Sequence, residues 1–490
     1  LLVSYDGRSR AKGLRLYVNG IETPCELVRD RLSRDITHRA EWGDSDANVP
    51  LALGARFRDV GFKDGAVDEV RVFDRELTPL EAAATCGIPT PSDEESRFRH
   101  FASRIDREAM EAAARLLGLW NEENALIGQV RQIMVMQELP TRRPTFLLAR
   151  GAYNARTTAV EPNTPERIMP LPAGAPRDRL GFARWVIDDK NPLTPRVAVN
   201  RVWQLFFGRG LVATTEDLGS QGQPPTHPEL LDWLARRFLD SGWDVRALSR
   251  MIVLSATYRQ SSVPRDPRLY QTDPDNLLLA RGPRHRLSSE QIRDGLLAAS
   301  GLLTRRVGGP SVYPYQPAGL WEESGTGKSY HQSHGDDLYR RGLYTFWRRT
   351  SPPPSMTVFD APSREFCLTR RERTTTPLQA LAVLNDPQYI EAARALAQRL
   401  IQEFPGEVSL RLTTAFRSLT TREPTPRELA VLARLYQSQK AHYQTRADEA
   451  KRYITTGESA RDETLDPIDH AATTAVVQAL MNFDESLMKR

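Results

Sequence analysis

The spacing of apolar residues changes once along this 490-residue chain, from two to about 3.6, and that change limits what each part can fold into. Before residue 78 the spacing is that of strands. Leu14, Leu16 and Val18 alternate with Arg15, Tyr17 and Asn19, as in a half-buried strand. Asn19-Gly20 tolerates the positive φ angles of a two-residue hairpin turn, and Ile21 starts the return. Leu51, Leu53 and Gly54 mark another strand, and 66–73, with Val67, Val70 and Val72 as its apolar members, a further one. Thr78-Pro79-Leu80-Glu81 is then a capping box, in which the Thr oxygen accepts an orphan amide and the Glu reaches back.

From there the period is helical. Ser92, with Glu95 three residues on, is expected to cap a helix that continues through "AMEAAARLLGLW". Residues 140–176 are punctuated by proline and partly extended, with "TFLLARGAY" as their one strand. Beyond Pro176 helix starts recur. Thr194-Pro195 begins a helix through Trp203 to Phe207, which Gly208 stops. Thr226-x-x-Glu229 begins one through Leu230, Leu231, Trp233 and Leu234. These two are expected to pack through Val202, Trp203 and Phe206 against Leu230, Leu231 and Trp233. Ser288-x-x-Gln291, Thr376-x-x-Gln379 and Thr425-x-x-Glu428 begin three more. Residues 305–365, rich in Gly, Pro and Ser and without a sustained period, form either a long functional loop or a small irregular lobe.

Length and composition narrow the function classes. At roughly 100–200 residues per domain the chain holds two to four. With 16 Phe, 14 Tyr, 8 Trp and 40% hydrophobic residues, wholesale disorder is ruled out. No apolar run approaches the ~18 residues of a membrane span. The net charge of +5 comes from a basic side in which 60 of 67 residues are arginine. Those arginines are interleaved with 62 acids and form no basic tract, so no nucleic-acid partner is expected. The three cysteines, Cys25, Cys86 and Cys367, show no C-x-x-C or C-x-x-C-H spacing, which excludes haem attachment within the chain. A Cys25–Cys86 bridge could form in an oxidising compartment, leaving Cys367 as a free thiol. The chain opens on Leu1 inside a strand pattern, from which we expect it to be the C-terminal part of a longer protein.

"LRLYVNG", "LALGAR" and "GAVDEVRVFDRELTPLEA" resemble the closing strands of the concanavalin A-like, laminin-G type jelly roll, over about residues 10–85. A second resemblance is more specific. "NPLTPRVAVNRVWQLFFGRGLVATTEDLGSQGQPPTHPELLDWLA", "RHRLSSEQIRDGLLAASGLL", "YRRGLYTFWRR" and "FDAPSREFCLTRRERTTTPLQALAVLNDPQYIEAARALAQRL" are similar to the planctomycete PSD-one domain, a domain of unknown function, over roughly residues 175–485. "MVMQELPTRRPTFLLARGAY" resembles the segment that commonly precedes it, whereas "MNFDESLMKR" departs from the usual ending. The resemblances imply a multidomain α+β protein. Its parts are a partial antiparallel jelly roll (1–90), a helix and extended linker (91–175), and a mainly α-helical domain with an irregular lobe (176–490). The PSD-one resemblance implies an extracytoplasmic location and companion cytochrome c-like domains, so that haem would lie in N-terminal domains and no cofactor in this chain. It brings no established reaction.

Candidate sites follow from residue chemistry. "SGTGKS" at 324–329 has Glu322 where a phosphate loop needs Gly, so a flexible loop is the better reading. His331-x-x-His334 with Asp336 and Asp337 offers metal-ligand types, against a solvated polar loop. His227, Glu229 and Asp232 cluster as acid–base work would need, but a helix start is the favoured reading, since the capping box already explains Glu229. The densest block is Asp360, Arg364, Glu365, Cys367, Arg370 and Arg371, ahead of the helix that Thr376 caps, with Arg340, Arg341, Arg348 and Arg349 before it. Guanidinium forks bind carboxylate, sulfate or phosphate, so this block reads as an anion-binding or catalytic pocket, or else as an internal ion-pair network. Cys367 would be a nucleophile if those arginines lowered its pKa. Three function classes remain: a binding or scaffolding protein recognising glycans or cell-surface proteins; an extracytoplasmic enzyme on polysaccharide or another polyanion; and a docking partner of haem domains.

Overall fold

The computed structural model describes residues 1–30, 32, 65–131, 133–325 and 327–489; the strand expected around Leu51 and Leu53 lies outside them. The chain divides into two compact units, Leu1–Arg143 and Pro144–Arg490.

In the first unit β1 (Leu2–Tyr5), β2 (Leu14–Val18) and β3 (Ile21–Thr23) form an antiparallel sheet in that order. Val18 faces Ile21 across the expected two-residue turn, in which Asn19 and Gly20 take φ of 51° and 81°. The buried face is the opposite of the one expected. Tyr17 is 1% exposed, while Leu14 and Val18 are 42% and 44% exposed. The cause is long-range: Ser4, opposite Arg15 and so on the Tyr17 face, exchanges hydrogen bonds with Leu77 (3.1 and 3.2 Å). That contact draws the start of α1 (Pro79–Thr85) onto this side, and the Thr78–Glu81 capping box forms as expected. Residues 66–73 are no strand. Glu69 at φ 54° interrupts the run, and Val67, Val70 and Val72 stay exposed. The helical stretch that follows is two helices, α2 (Glu94–Arg104) and α3 (Arg107–Gln129), capped by the carboxylates of Asp93 and Asp106 rather than by Ser92.

In the second unit the "TFLL" segment is β4 (Thr145–Leu148), paired with an unforeseen β5 (Arg156–Val160). Then come α4 (Arg179–Val186), α5 (Thr194–Phe207), α6 (Pro228–Asp240), α7 (Val245–Leu254) and the single turn α8 (Leu269–Thr272). Gly208, at φ 81°, ends α5 as expected. The start of α5 is held by the Asn191 side chain, which accepts from the amides of Leu193 and Thr194. The Thr226 box does not form: His227 takes the cap position ahead of Pro228, and the Thr226 hydroxyl donates to the Leu211 carbonyl instead. Val199 and Trp203 pack on Leu231, Leu234 and Phe238, with Val202, Phe206 and Leu230 at the edge. Trp233 is 52% exposed, because two residues of helix turn it about 200° away from Leu231.

Strand β6 (His285–Arg286) precedes α9 (Ser289–Ser300), which the Ser288 box caps. The single turns α10 (Leu320–Glu323) and α11 (Pro354–Thr357) lie in the irregular lobe. A second core follows, from α12 (Pro377–Asn385), α13 (Pro387–Glu403), α14 (Val408–Thr420), α15 (Pro426–Thr445), α16 (Ala447–Ile454) and α17 (Pro467–Met481). The Thr376 and Thr425 boxes both form. Ala392, Ala393 and Ala397 of α13 lie with Ala472 and Val476 of α17 in one core cluster, where small side chains allow close approach. Strand β7 (Met488–Lys489) returns to pair with β6, placing Lys489 opposite His285. Cys25, Cys86 and Cys367 are all free thiols, so the bridge that could have formed is absent. No helix among the described residues is long and apolar enough to cross a membrane.

The packing register is checked by two alanine substitutions. Trp203→Ala removes a core side chain and should cost about 3–5 kcal/mol in a urea unfolding series, whereas Trp233→Ala should cost under about 1 kcal/mol. Comparable losses would contradict the register.

Candidate functional site

The block at 360–371, read either as an anion pocket or as an internal ion-pair network, is largely committed to internal partners. Asp360 accepts from the amide and hydroxyl of Thr374 and from buried Arg286 (2.5 Å). Arg371 pairs with both oxygens of Glu290 at 2.7 and 3.0 Å. Arg364 stacks on Trp347, Arg348 on Trp321, and Arg349 lies 3.6 Å from Glu365. Arg370 and Cys367 are exposed. Arg340 is fully buried and donates to the carbonyls of Pro310, Arg306 and Gly308. The guanidiniums of Arg364 and Arg371 are thus drawn to different partners rather than to one point.

The other candidates are also placed separately. The His227 ring lies 3.1 Å from the Thr226 hydroxyl. Asp232 pairs with Arg196 at 2.7 Å, which holds its carboxyl below the usual range. His331 is exposed, His334 contacts Glu458 at 2.8 Å, and Asp337 pairs with Arg306. Among the described residues no group of three or more His, Cys, Asp or Glu side chains is arranged to hold a metal. The "SGTGKS" stretch follows the helical turn α10, not a strand.

A cleft of about 410 Å³ opens elsewhere, between the end of α5, α8 and β6. Phe207, Tyr270 and Leu279 supply apolar wall, and Arg209, Asp275, Arg281, Arg284, His285 and Arg373 supply its charged and titratable groups. Gly208 makes the room. Its φ of 81° suits glycine, and a Cβ there would stand 2.7 Å from His285 Nδ1 and 3.2 Å from Arg373 Nη1. Arg281 is spent on the wall itself, donating to the carbonyls of Pro274 and Leu269. Arg209 donates to Asp275 at 2.9 Å through Nη1 and to Gln223 through Nη2.

Three buried polar atoms in this cleft have no hydrogen-bond partner among the described residues: Arg209 Nε, His285 Nδ1 and Arg373 Nη1. Each such orphan costs about 1–3 kcal/mol unless something in the cleft satisfies it. Arg373 also has no carboxylate within ion-pair distance among the described residues, and burial, then Arg286 and Arg371, push its pKa down. Burial, then the charges of Arg373 and Lys489, push the His285 imidazole down to about 4. The arrangement is a neutral imidazole beside an unneutralised guanidinium, which can hold an anion. Sequence reasoning weighed Arg370 and Arg371 but not Arg373, and took Gly208 only as a helix stop. The one available signal was Gly208-Arg209-Gly210, an arginine flanked by two glycines at a helix end.

The model of a family described as PSD1, protein of unknown function (DUF1553), matches residues 178–436, a stretch that contains every residue lining the cleft. No match was found among curated proteins or among solved structures.

The depressed His285 pKa carries a stability signature. Above pH 6.5 the ring is neutral whether folded or unfolded, and its contribution is complete. As pH falls from 6.5 towards 4 the unfolded chain takes up a proton that the folded one refuses, and stability is lost. Between about pH 7 and pH 4.5, unfolding free energy should fall on the order of 2 kcal/mol further for the wild type than for His285→Gln. Parallel pH profiles would contradict the assignment.

Proposed function

This chain belongs to the PSD1 family of proteins of unknown function, and we propose that it is a binding protein whose helical unit captures an anionic group in the cleft between α5, α8 and β6. One observation carries this reading: Arg209 Nε, His285 Nδ1 and Arg373 Nη1 are buried, unpartnered among the described residues and share that cleft. An anion there would accept from donors already in place, in surroundings where water screens charge weakly, so little ordering is needed on binding. The apolar wall beside the charged end suits a ligand with a body as well as a head, such as an acidic glycan. An exported location and a concanavalin A-like origin for β1–β3 fit this role, supported by the motif resemblances and by the Asn19-Gly20 hairpin. An enzyme acting on a polyanionic substrate is the second reading. It is favoured by His285, which lines the cleft and whose ring stays neutral near pH 7, as a proton acceptor requires.

Sulfate titration of the full chain, followed by thermal shift and calorimetry, tests the proposal. Sulfate should raise the melting temperature in a saturable way. Arg373→Gln should abolish the response, and Arg371→Lys should leave affinity within about twofold, since it keeps the charge at Glu290. Binding lost in Arg371→Lys and kept in Arg373→Gln would move the site to the block at 360–371. No response in the wild type would end the anion reading.

A further inference from the structure

Resting on the anion-binding reading, we infer that the cleft takes a compact oxyanion together with a proton, which His285 holds in the bound state. The geometry that carries this is the shared cleft: His285 and Arg373 both line it, and their Nδ1 and Nη1 converge on Gly208, 2.7 and 3.2 Å from where a Cβ would stand. An oxyanion in the cleft beside this corner would lie against both side chains at once.

The surroundings of His285 are cationic in the empty cleft. Arg373 faces it from the segment before α12, and Lys489 from the paired strand β7. Arg209 reaches in from the end of α5. On its own strand stand Arg284 and Arg286. The nearby acids are already engaged, Asp275 by Arg209, Asp484 by Arg284 and Asp360 by Arg286. The imidazole is therefore neutral when the cleft is empty, as its pKa near 4 reflects.

A bound oxyanion reverses that balance. It neutralises the guanidinium that repels the ring's proton, and it accepts a hydrogen bond from Nδ1–H. Protonation, unfavourable in the empty cleft, becomes favourable in the filled one. The proton comes from solvent and returns to it on release, with no covalent step. By linkage, a ligand that raises the proton affinity of a group binds more tightly where protons are more abundant. Capture is thus strengthened in mildly acidic surroundings and release favoured in alkaline ones. Sulfate esters and carboxylates share the required chemistry.

Calorimetry on the full chain with sodium sulfate tests this, in paired buffers of different ionisation enthalpy, because sulfate stays fully ionised across the range. Affinity should rise towards about tenfold per pH unit between about pH 6 and pH 5, with uptake approaching one proton per sulfate. His285→Gln should bind sulfate more weakly than the wild type at pH 5, with neither pH dependence nor proton uptake. Trifluoroacetate, also ionised throughout, provides the carboxylate arm: tighter sulfate assigns the natural head to sulfate or phosphate esters, tighter trifluoroacetate to carboxylates. An NMR titration of the His285 ring with and without sulfate gives a second readout that needs no variant, and a raised midpoint is expected with sulfate. Sulfate binding that is independent of pH, or an unmoved His285 midpoint, overturns this inference and leaves the anion-binding reading standing. Absence of sulfate binding at every pH overturns both.

Discussion

Arg293, Arg286 and Arg340 are buried, and each gives at least half of its hydrogen bonds to backbone carbonyls, Arg293 also reaching Asp294 at 3.5 Å. Arg293 donates to the carbonyls of Leu338 and Arg340, with the Gln388 side chain as its third acceptor. Arg286 donates to those of Leu287, Phe359 and Thr374. Arg340 reaches three more in 306–310 and lies over the Tyr344 ring. Most of these carbonyls belong to chain between α9 and α12 that has little regular structure, where no helix or ladder would satisfy them. A guanidinium offers five donors in a rigid fork, and a hydrogen bond from a charged donor contributes about 1.5–3 kcal/mol. The long lobe can therefore be irregular and buried at once.

The same accounting separates structural arginines from available ones. Arg281 closes on its own loop, Arg371 closes on Glu290, and Arg286 closes on Asp360 and three carbonyls. Arg373, two residues beyond Arg371, keeps a buried nitrogen without a partner among the described residues, beside a histidine in the same condition. Density of charge in the sequence is thus a poor guide to the site. The 360–371 block is dense because it ties the lobe to the start of α9. In the cleft Arg209 and Arg284 are paired with Asp275 and Asp484, whereas Arg373 has no carboxylate at ion-pair distance among the described residues.

What could be read in advance was local. The boxes at Ser288, Thr376 and Thr425 were legible because both partners of each lie within four residues. Thr226 carried the same signature, but a carbonyl fifteen residues earlier took its hydroxyl, and no local pattern reports such a competitor. Alternation in 14–19 showed that the strand has two faces, while the contact between Ser4 and Leu77 decided which one is inside. The candidate site follows the same rule. Gly208, His285 and Arg373 come from three distant stretches, and their convergence on one corner of a cleft exists only once the chain has folded.

The account stands on the claim that Arg373 and His285 form one anion site. A crystal structure of the full chain grown in sodium selenate tests it directly, since selenium scatters anomalously and its position is unambiguous. The predicted result is one strong peak beside Gly208, with selenate oxygens within hydrogen-bonding distance of Arg373 Nη1 and His285 Nδ1. A cleft filled only by water, with selenate bound instead among Arg364, Arg370 and Arg371, would contradict it.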